Sequence, residues 1–122
     1  MKGILFALLL FGKINVVVTT EDLADIARWI GGERVEVESL SKGSQDLHFV
    51  EPRPSMIISL RRADLLVRVG MDLDLWIHPL IDKSRNPRIV FGAPGYVDAS
   101  KGIVPLEVPK EKVDWRMGDI HI

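Results

Sequence analysis

Apolar residues in the first part of the chain follow two different periods. Residues Ile14 to Val18 form a continuous β-branched run, typical of a strand buried on both faces. The next apolar residues recur at helical spacing and predict a helix with one buried stripe: Leu23, Ile26, Ala27 and Ile30. Thr19 and Thr20 are candidate caps of this helix, and Gly31-Gly32 ends it. Residues 35–38 alternate apolar and acidic, which predicts an edge strand with one wet face.

The same alternation of strand and helix continues through the middle of the chain. A helix is predicted over Met56–Ala63 and a strand over Leu65–Val69. The stripe from Leu73 to Ile81 predicts a further helix, which Pro79 must either kink or restart. Arg88–Phe91 is predicted to be a fourth strand. Strands and helices alternating at this spacing predict an α/β fold, with a Rossmann-like, parallel four-stranded sheet flanked by helices.

Periodicity fails after Ala93, where glycines and prolines interrupt the pattern. We expect this tail to form loops over one edge of the sheet, with Val104–Val108 as its one candidate strand. Trp76 is most simply interpreted as a core or interface anchor. Together with Trp115 and this tail, it is also among the apolar parts expected to be exposed.

The N-terminus has features of an export signal. Lys2 precedes the apolar run Ile4–Phe11, as in the charged and hydrophobic regions of a signal peptide. The run is too short to cross a bilayer, and no small-x-small cleavage site follows it. The alternatives to a signal peptide are that this run is a first strand or that the start codon is placed too late. We assign residues 1–12 to a signal peptide and predict a periplasmic location.

Composition narrows the possible functions. The 122 residues fit one domain, and 47% of them are hydrophobic, which indicates a globular protein. A net charge of −1 gives no basic field that would attract nucleic acid. The sequence has no cysteine for a disulfide or thiolate site, and no glycine-rich dinucleotide or phosphate motif follows a strand.

The loop from Gly43 to Ser55 carries the main candidate for chemistry, His48. Gly43 permits unusual backbone angles at its entry, whereas Pro52 and Pro54 stiffen its exit. Ligands of open parallel sheets bind beyond the carboxyl ends of the strands, where this loop must lie. An isolated loop histidine is more often simply solvated than a metal ligand.

The segment Gly43-Ser44-x-Asp46-x-His48-x-x-x-Pro52-x-Pro54-Ser55, followed by Arg62-Ala63-Asp64-Leu65, resembles a known family. This family is the periplasmic substrate-binding proteins of bacterial zinc and manganese ABC importers, also called TroA-like. The resemblance runs from Ile14 to about Pro87 and includes Gly31-Gly32 before Val35-Glu36-Val37.

The resemblance implies a fold, a ligand and a partner. Family members have two α/β lobes joined by a long helix and hold the metal between the lobes with histidines and carboxylates. Residues 13–122 would be the N-terminal lobe, ending before the linking helix and lacking the C-terminal lobe. His48 would be the first ligand, and Zn²⁺ or Mn²⁺ the transported cargo. The partner would be the membrane permease of the importer, and the protein would not be an enzyme.

Other polar residues are weaker candidates. His121 lacks the flanking proline and tryptophan that surround the family's second histidine ligand, so it is either a ligand or, more simply, a frayed terminal residue. His78 is expected to be a packed or surface helix residue. Asp46 or Glu51 would orient the His48 ring, or would be solvated loop charges.

Two rival functions remain open at this point. One is a module of the same superfamily that binds a metal chelate or an organic ligand. The other is a cytosolic Rossmann-like enzyme domain or accessory protein.

Overall fold

A computed structural model describes residues 12–43 and 45–104. The strands are β1 (Ile14–Val18), β2 (Val35–Ser39), β3 (Leu65–Arg68) and β4 (Tyr96–Asp98). The helices are α1 (Glu21–Gly31), α2 (Pro54–Arg62) and α3 (Ile77–Ser84). Single 3₁₀ turns lie at Gly32–Arg34 and Leu47–Phe49. Within these residues no helix is long and apolar enough to cross a membrane.

The described strands form one parallel sheet in the order β2-β1-β3-β4. The predicted α/β class is therefore confirmed, and β2 occupies an edge as its alternating pattern predicted. Buried side chains lie on both faces of the central strand β1. Val17 joins the larger cluster with α2 and α3, whereas Val16 and Val18 pack with Ala24 of α1.

Helix α1 begins and ends at the predicted signals. The Thr20 hydroxyl accepts a hydrogen bond from the Leu23 amide at 3.2 Å, so Thr20 is the cap. Thr19 is instead completely buried. At the other end Gly32 has a φ of +54°, which a glycine adopts without strain.

Pro79 lies in the first turn of α3 rather than in its interior. The chain forms turns over residues 71–76, and the helix begins at Ile77. The amide that Pro79 lacks would have had no partner within the helix there. The apolar stripe from Leu73 to Ile81 thus spans a turn and a helix, and the proline restarts the helix.

The predicted strand Arg88–Phe91 is wrong, because this segment forms turns. Only Ile89 is fully buried within it, while Phe91 is 84% exposed. Asn86 organises the turn: its carboxamide oxygen accepts hydrogen bonds from the Arg88 amide and Nε at 3.0 and 3.1 Å. Its Nδ2 donates to the Leu60 and Ala63 carbonyls at the end of α2.

The true fourth strand lies in the tail that was predicted to form loops. Tyr96–Asp98 pairs in parallel with β3, and the Leu66 amide donates to the Gly95 carbonyl at 2.7 Å. Trp76 is half-buried and packs against the core cluster, which agrees with its prediction as a core anchor and contradicts the expectation that it is exposed. Trp115, residues 105–108 of the candidate strand and residues 1–11 lie outside the described residues.

Candidate metal-binding site

His48 lies in the 3₁₀ turn Leu47–Phe49, with its side chain 25% exposed. Asp46 caps this turn, because its Oδ1 accepts a hydrogen bond from the His48 amide at 3.0 Å. The same oxygen lies 2.9 Å from His48 Nδ1. An ionised carboxylate only accepts hydrogen bonds, so this contact places the proton on Nδ1.

The contact has an electrostatic consequence for Asp46. The hydrogen bond from the His48 side chain, followed by the bond from its backbone amide, lowers the pKa of the Asp46 carboxyl below its ordinary value. Asp46 is therefore the carboxylate that orients the ring, whereas the side chain of Glu51 is exposed beyond the turn.

The exit of this loop is fixed, as the sequence predicted. Val50 is buried, and the Arg53 guanidinium donates to the Leu40 carbonyl at 3.3 Å. Arg53 is extended, as expected for a residue before proline, and Pro54 is the first residue of α2.

The loops after β1 and β2 meet at the carboxyl edge of the sheet. The Leu40 amide donates to the Val18 carbonyl at 2.9 Å, and the Ser41 hydroxyl donates to the Thr19 carbonyl. His48 follows Ser41 in the chain, on the loop that leaves this edge. The predicted placement of this loop at the usual ligand-binding edge of an open sheet is thus confirmed.

Sequence reasoning missed a buried charged cluster at the same edge. Arg68 and Asp74 are 5% and 0% exposed, and Arg68 Nε and Nη2 donate to Asp74 Oδ1 at 3.0 and 2.7 Å. Arg68 Nη1 also donates to the Tyr96 hydroxyl and to His78 Nε2. An arginine that ends an otherwise apolar strand was the available signal, since such a charge requires a partner.

The Arg68 guanidinium of this cluster stays charged. Burial by itself pulls the pKa of the Arg68 guanidinium down, but its hydrogen bonds to Tyr96 and Asp74 outweigh burial and raise the pKa above its ordinary value. Arg68 is thus a permanent cation. His78 is an exposed helix residue, one of the two placements predicted, and its Nε2 accepts a hydrogen bond from the Arg68 guanidinium.

The described residues do not assemble a multi-ligand metal site around His48. Within 12–43 and 45–104, no group of three or more histidine, cysteine, aspartate or glutamate side chains is arranged to hold a metal ion. His121, the other candidate ligand, lies outside the described residues.

Comparison with known proteins identifies the chain's relatives. Residues 16–122 match the family model described as zinc-uptake complex component A, periplasmic. The iron-binding protein YfeA of Yersinia pestis is 32% identical over 97 residues, which are 79% of this chain and 29% of that protein. The manganese ABC transporter substrate-binding lipoprotein PsaA of Streptococcus pneumoniae is 37% identical over 62 residues, or 51% of this chain and 20% of PsaA.

A solved relative agrees with the fold. The metal-dependent lipoprotein YcdH of Bacillus subtilis superimposes with a TM-score of 0.63 at 30% identity, covering 78% of this chain and 34% of YcdH. The chain therefore spans less than a third of these curated relatives and about a third of the solved one.

Proposed function

On the premise that the chain belongs to the zinc-uptake complex component A family, we propose that it is the metal-capturing lobe of an extracytoplasmic binding protein serving a zinc or manganese ABC importer. The family consists of solute-binding proteins, which are not enzymes, so the rival of a cytosolic enzyme domain has no support. The observation that carries the proposal is the Asp46-oriented His48 ring at the ligand-binding edge of the sheet.

His48 is the first metal ligand in this proposal. With the Nδ1 proton directed to Asp46, Nε2 is the nitrogen that coordinates the cation. A carboxylate on the far side of the ring fixes the tautomer and raises the basicity of a ligating imidazole. The side chain is 25% exposed, so it is partly accessible to solvent.

One imidazole cannot retain a metal ion alone. The remaining ligands come from residues outside those described, or from the second lobe that the family's full-length members possess. His121 stays a candidate for one of them. Capture between two lobes makes the assembled site much stronger than the His48 half, because each added ligand contributes free energy without a new loss of translational freedom.

The cargo is a divalent cation whose identity stays open between zinc and manganese. The family is named for zinc uptake, whereas YfeA is named as an iron-binding protein and PsaA as a manganese transporter component. Imidazole and carboxylate ligands accept several of these metals, so geometry and availability decide among them. The same proposal includes delivery of the metal to the membrane permease. It also includes export of the protein by a signal peptide in residues 1–12.

Removing His48 tests this function. In the complete protein, His48→Ala should weaken zinc or manganese binding by at least about 100-fold, because a ligand is lost outright. Competition with a fluorescent chelator measures the affinity. His78→Ala is the matched control: it removes another described histidine, one whose Nε2 contacts Arg68, and should change affinity by less than about threefold.

Tight metal binding that survives His48→Ala would overturn the proposal. That result would favour the superfamily alternative, in which the protein binds a metal chelate or an organic ligand instead.

A further inference from the structure

We infer that Trp76 is a positioning residue for His48, acting through the Leu47 carbonyl. The inference rests on the proposed metal-binding function and adds to it a residue that does not touch the metal. Trp76 lies 28 positions after His48, just before α3, and nothing in its sequence neighbourhood suggests a link to the histidine loop.

The turn that carries His48 is short and needs support from outside. It contains only three residues, and its local bonds come from Asp46, which accepts from the Phe49 amide at 3.1 Å as well as from His48. Phe49 is 82% exposed, so that side of the turn contributes little packing. A single 3₁₀ turn has poor hydrogen-bond geometry and little stability of its own.

Trp76 supplies support from across the fold. Its indole Nε1 donates a hydrogen bond of 2.7 Å to the Leu47 carbonyl, the peptide group that leads directly into His48. The indole ring and the Leu47 side chain both pack against the main core cluster. The bond therefore ties the first peptide of the turn to a buried framework.

The framework behind Trp76 is unusually well fixed. Asp74, two residues earlier, is completely buried, and both of its carboxylate oxygens are satisfied. Oδ1 accepts from Arg68 and from the Gly70 amide, while Oδ2 accepts from the Thr19 hydroxyl at 2.8 Å and the Val69 amide at 2.7 Å. These bonds join the ends of β1 and β3 to the turn that presents Trp76.

The physical consequence concerns where the imidazole lies. A ligand contributes its full affinity only when it is held close to the coordinating geometry, and supporting groups that orient ligands are commonly worth about 10–100-fold in metal affinity. Asp46 sets the rotation of the ring, whereas Trp76 sets the position of the backbone that carries it.

The test compares two equal tryptophan-to-phenylalanine changes in the complete protein. Trp76→Phe keeps an aromatic ring but removes the N–H donor, and it should weaken zinc binding about 10-fold. Trp29→Phe is the matched control, since Trp29 is 88% exposed on α1, and it should change affinity by less than about twofold. A second variant guards against poor folding of Trp76→Phe. It replaces Trp76 with its benzothiophene analogue, which exchanges N–H for sulfur at nearly constant shape, and it should show the same loss of zinc affinity.

A double-variant cycle distinguishes positioning from a general structural role. If Trp76 acts through His48, Trp76→Phe should have no further effect on zinc affinity in the His48→Ala background. Equal losses in both backgrounds, or unchanged affinity in the benzothiophene protein, would overturn the inference. If His48→Ala itself leaves the affinity intact, the proposed function fails first, so the two failures are separable.

Discussion

One carboxylate oxygen of Asp46 binds both the backbone amide and the ring of His48. Oδ1 accepts from the backbone amide and the ring of His48, and both bonds lower the pKa of the carboxyl. The pKa of the Asp46 carboxyl is lower in the folded protein than in the unfolded chain. The contact therefore stabilises the turn at pH values above the ordinary aspartate pKa. This stabilisation is lost as pH falls through the lowered pKa.

We expect His48→Ala to raise the Asp46 titration midpoint toward the ordinary aspartate value, because the largest cause of the shift is removed. Carbon-13 NMR of the carboxyl group across the acid range measures it. His78→Ala, made at a histidine that contacts Arg68 instead, should leave the midpoint in place. An Asp46 midpoint that is the same with and without His48 would contradict the contact described above.

Single residues differ in how far the sequence predicts their roles. His48 was found because a loop motif resembles a family, and the structure selects Asp46 rather than Glu51 as the carboxylate that contacts its ring. Arg68 and Asp74 were overlooked because they lie six positions apart and meet only after β3 and the following turn have formed. A buried ion pair depends on three-dimensional proximity, which local periodicity does not contain.

Whole elements also depend on proximity that the local sequence pattern does not contain, as β4 and the segment 88–91 show. Arg88–Phe91 has the composition of a strand, but one buried side chain, Ile89, and the Asn86 turn determine its conformation. Tyr96–Asp98 has little pattern, yet it lies beside β3 and receives its hydrogen bonds. Strand propensity is weak compared with the availability of a neighbouring edge.

Amide hydrogen exchange can check this assignment. Amides in β1 and β3 and the Ala99 amide, which donates to the Arg68 carbonyl at 2.9 Å, should exchange slowly because the sheet must open to expose them. Val90 and Phe91 lie in exposed turns and should exchange much faster. Slower exchange at Val90 and Phe91 than at Ala99 would restore the strand that the sequence alone predicted.

The molecule as a whole exposes apolar surface on the α1 side of the sheet. A groove of about 260 Å³ lies there, which we call the α1 groove. It is lined almost entirely by apolar groups of α1, β1, β3 and the start of β2. At its rim Ile30 is 76% exposed. Contiguous exposed apolar surface commonly marks an interface or a site of association.

We therefore expect the isolated 122-residue chain to associate as its concentration rises, through the α1 groove rather than through Trp76. Ile30→Lys should shift the chain toward monomer, because a cation then lies at the rim and must be desolvated on association. Phe91→Lys is the control, at an equally exposed apolar residue outside the groove. Sedimentation velocity over a concentration series reads the result, and a parent chain that stays monomeric throughout would disprove the association.

The strand order also has a consequence for the chain while it is being made. β1 is central, but its second neighbour β3 follows far along the chain, as the bond between the Asn15 amide and Asp64 across 49 residues shows. A ribosome adds about 5–20 residues per second, so one edge of β1 waits roughly 2–10 s for its partner. During that interval the valine-rich strand can pair only with β2 or with another molecule, and accessory factors that shield nascent chains would act then.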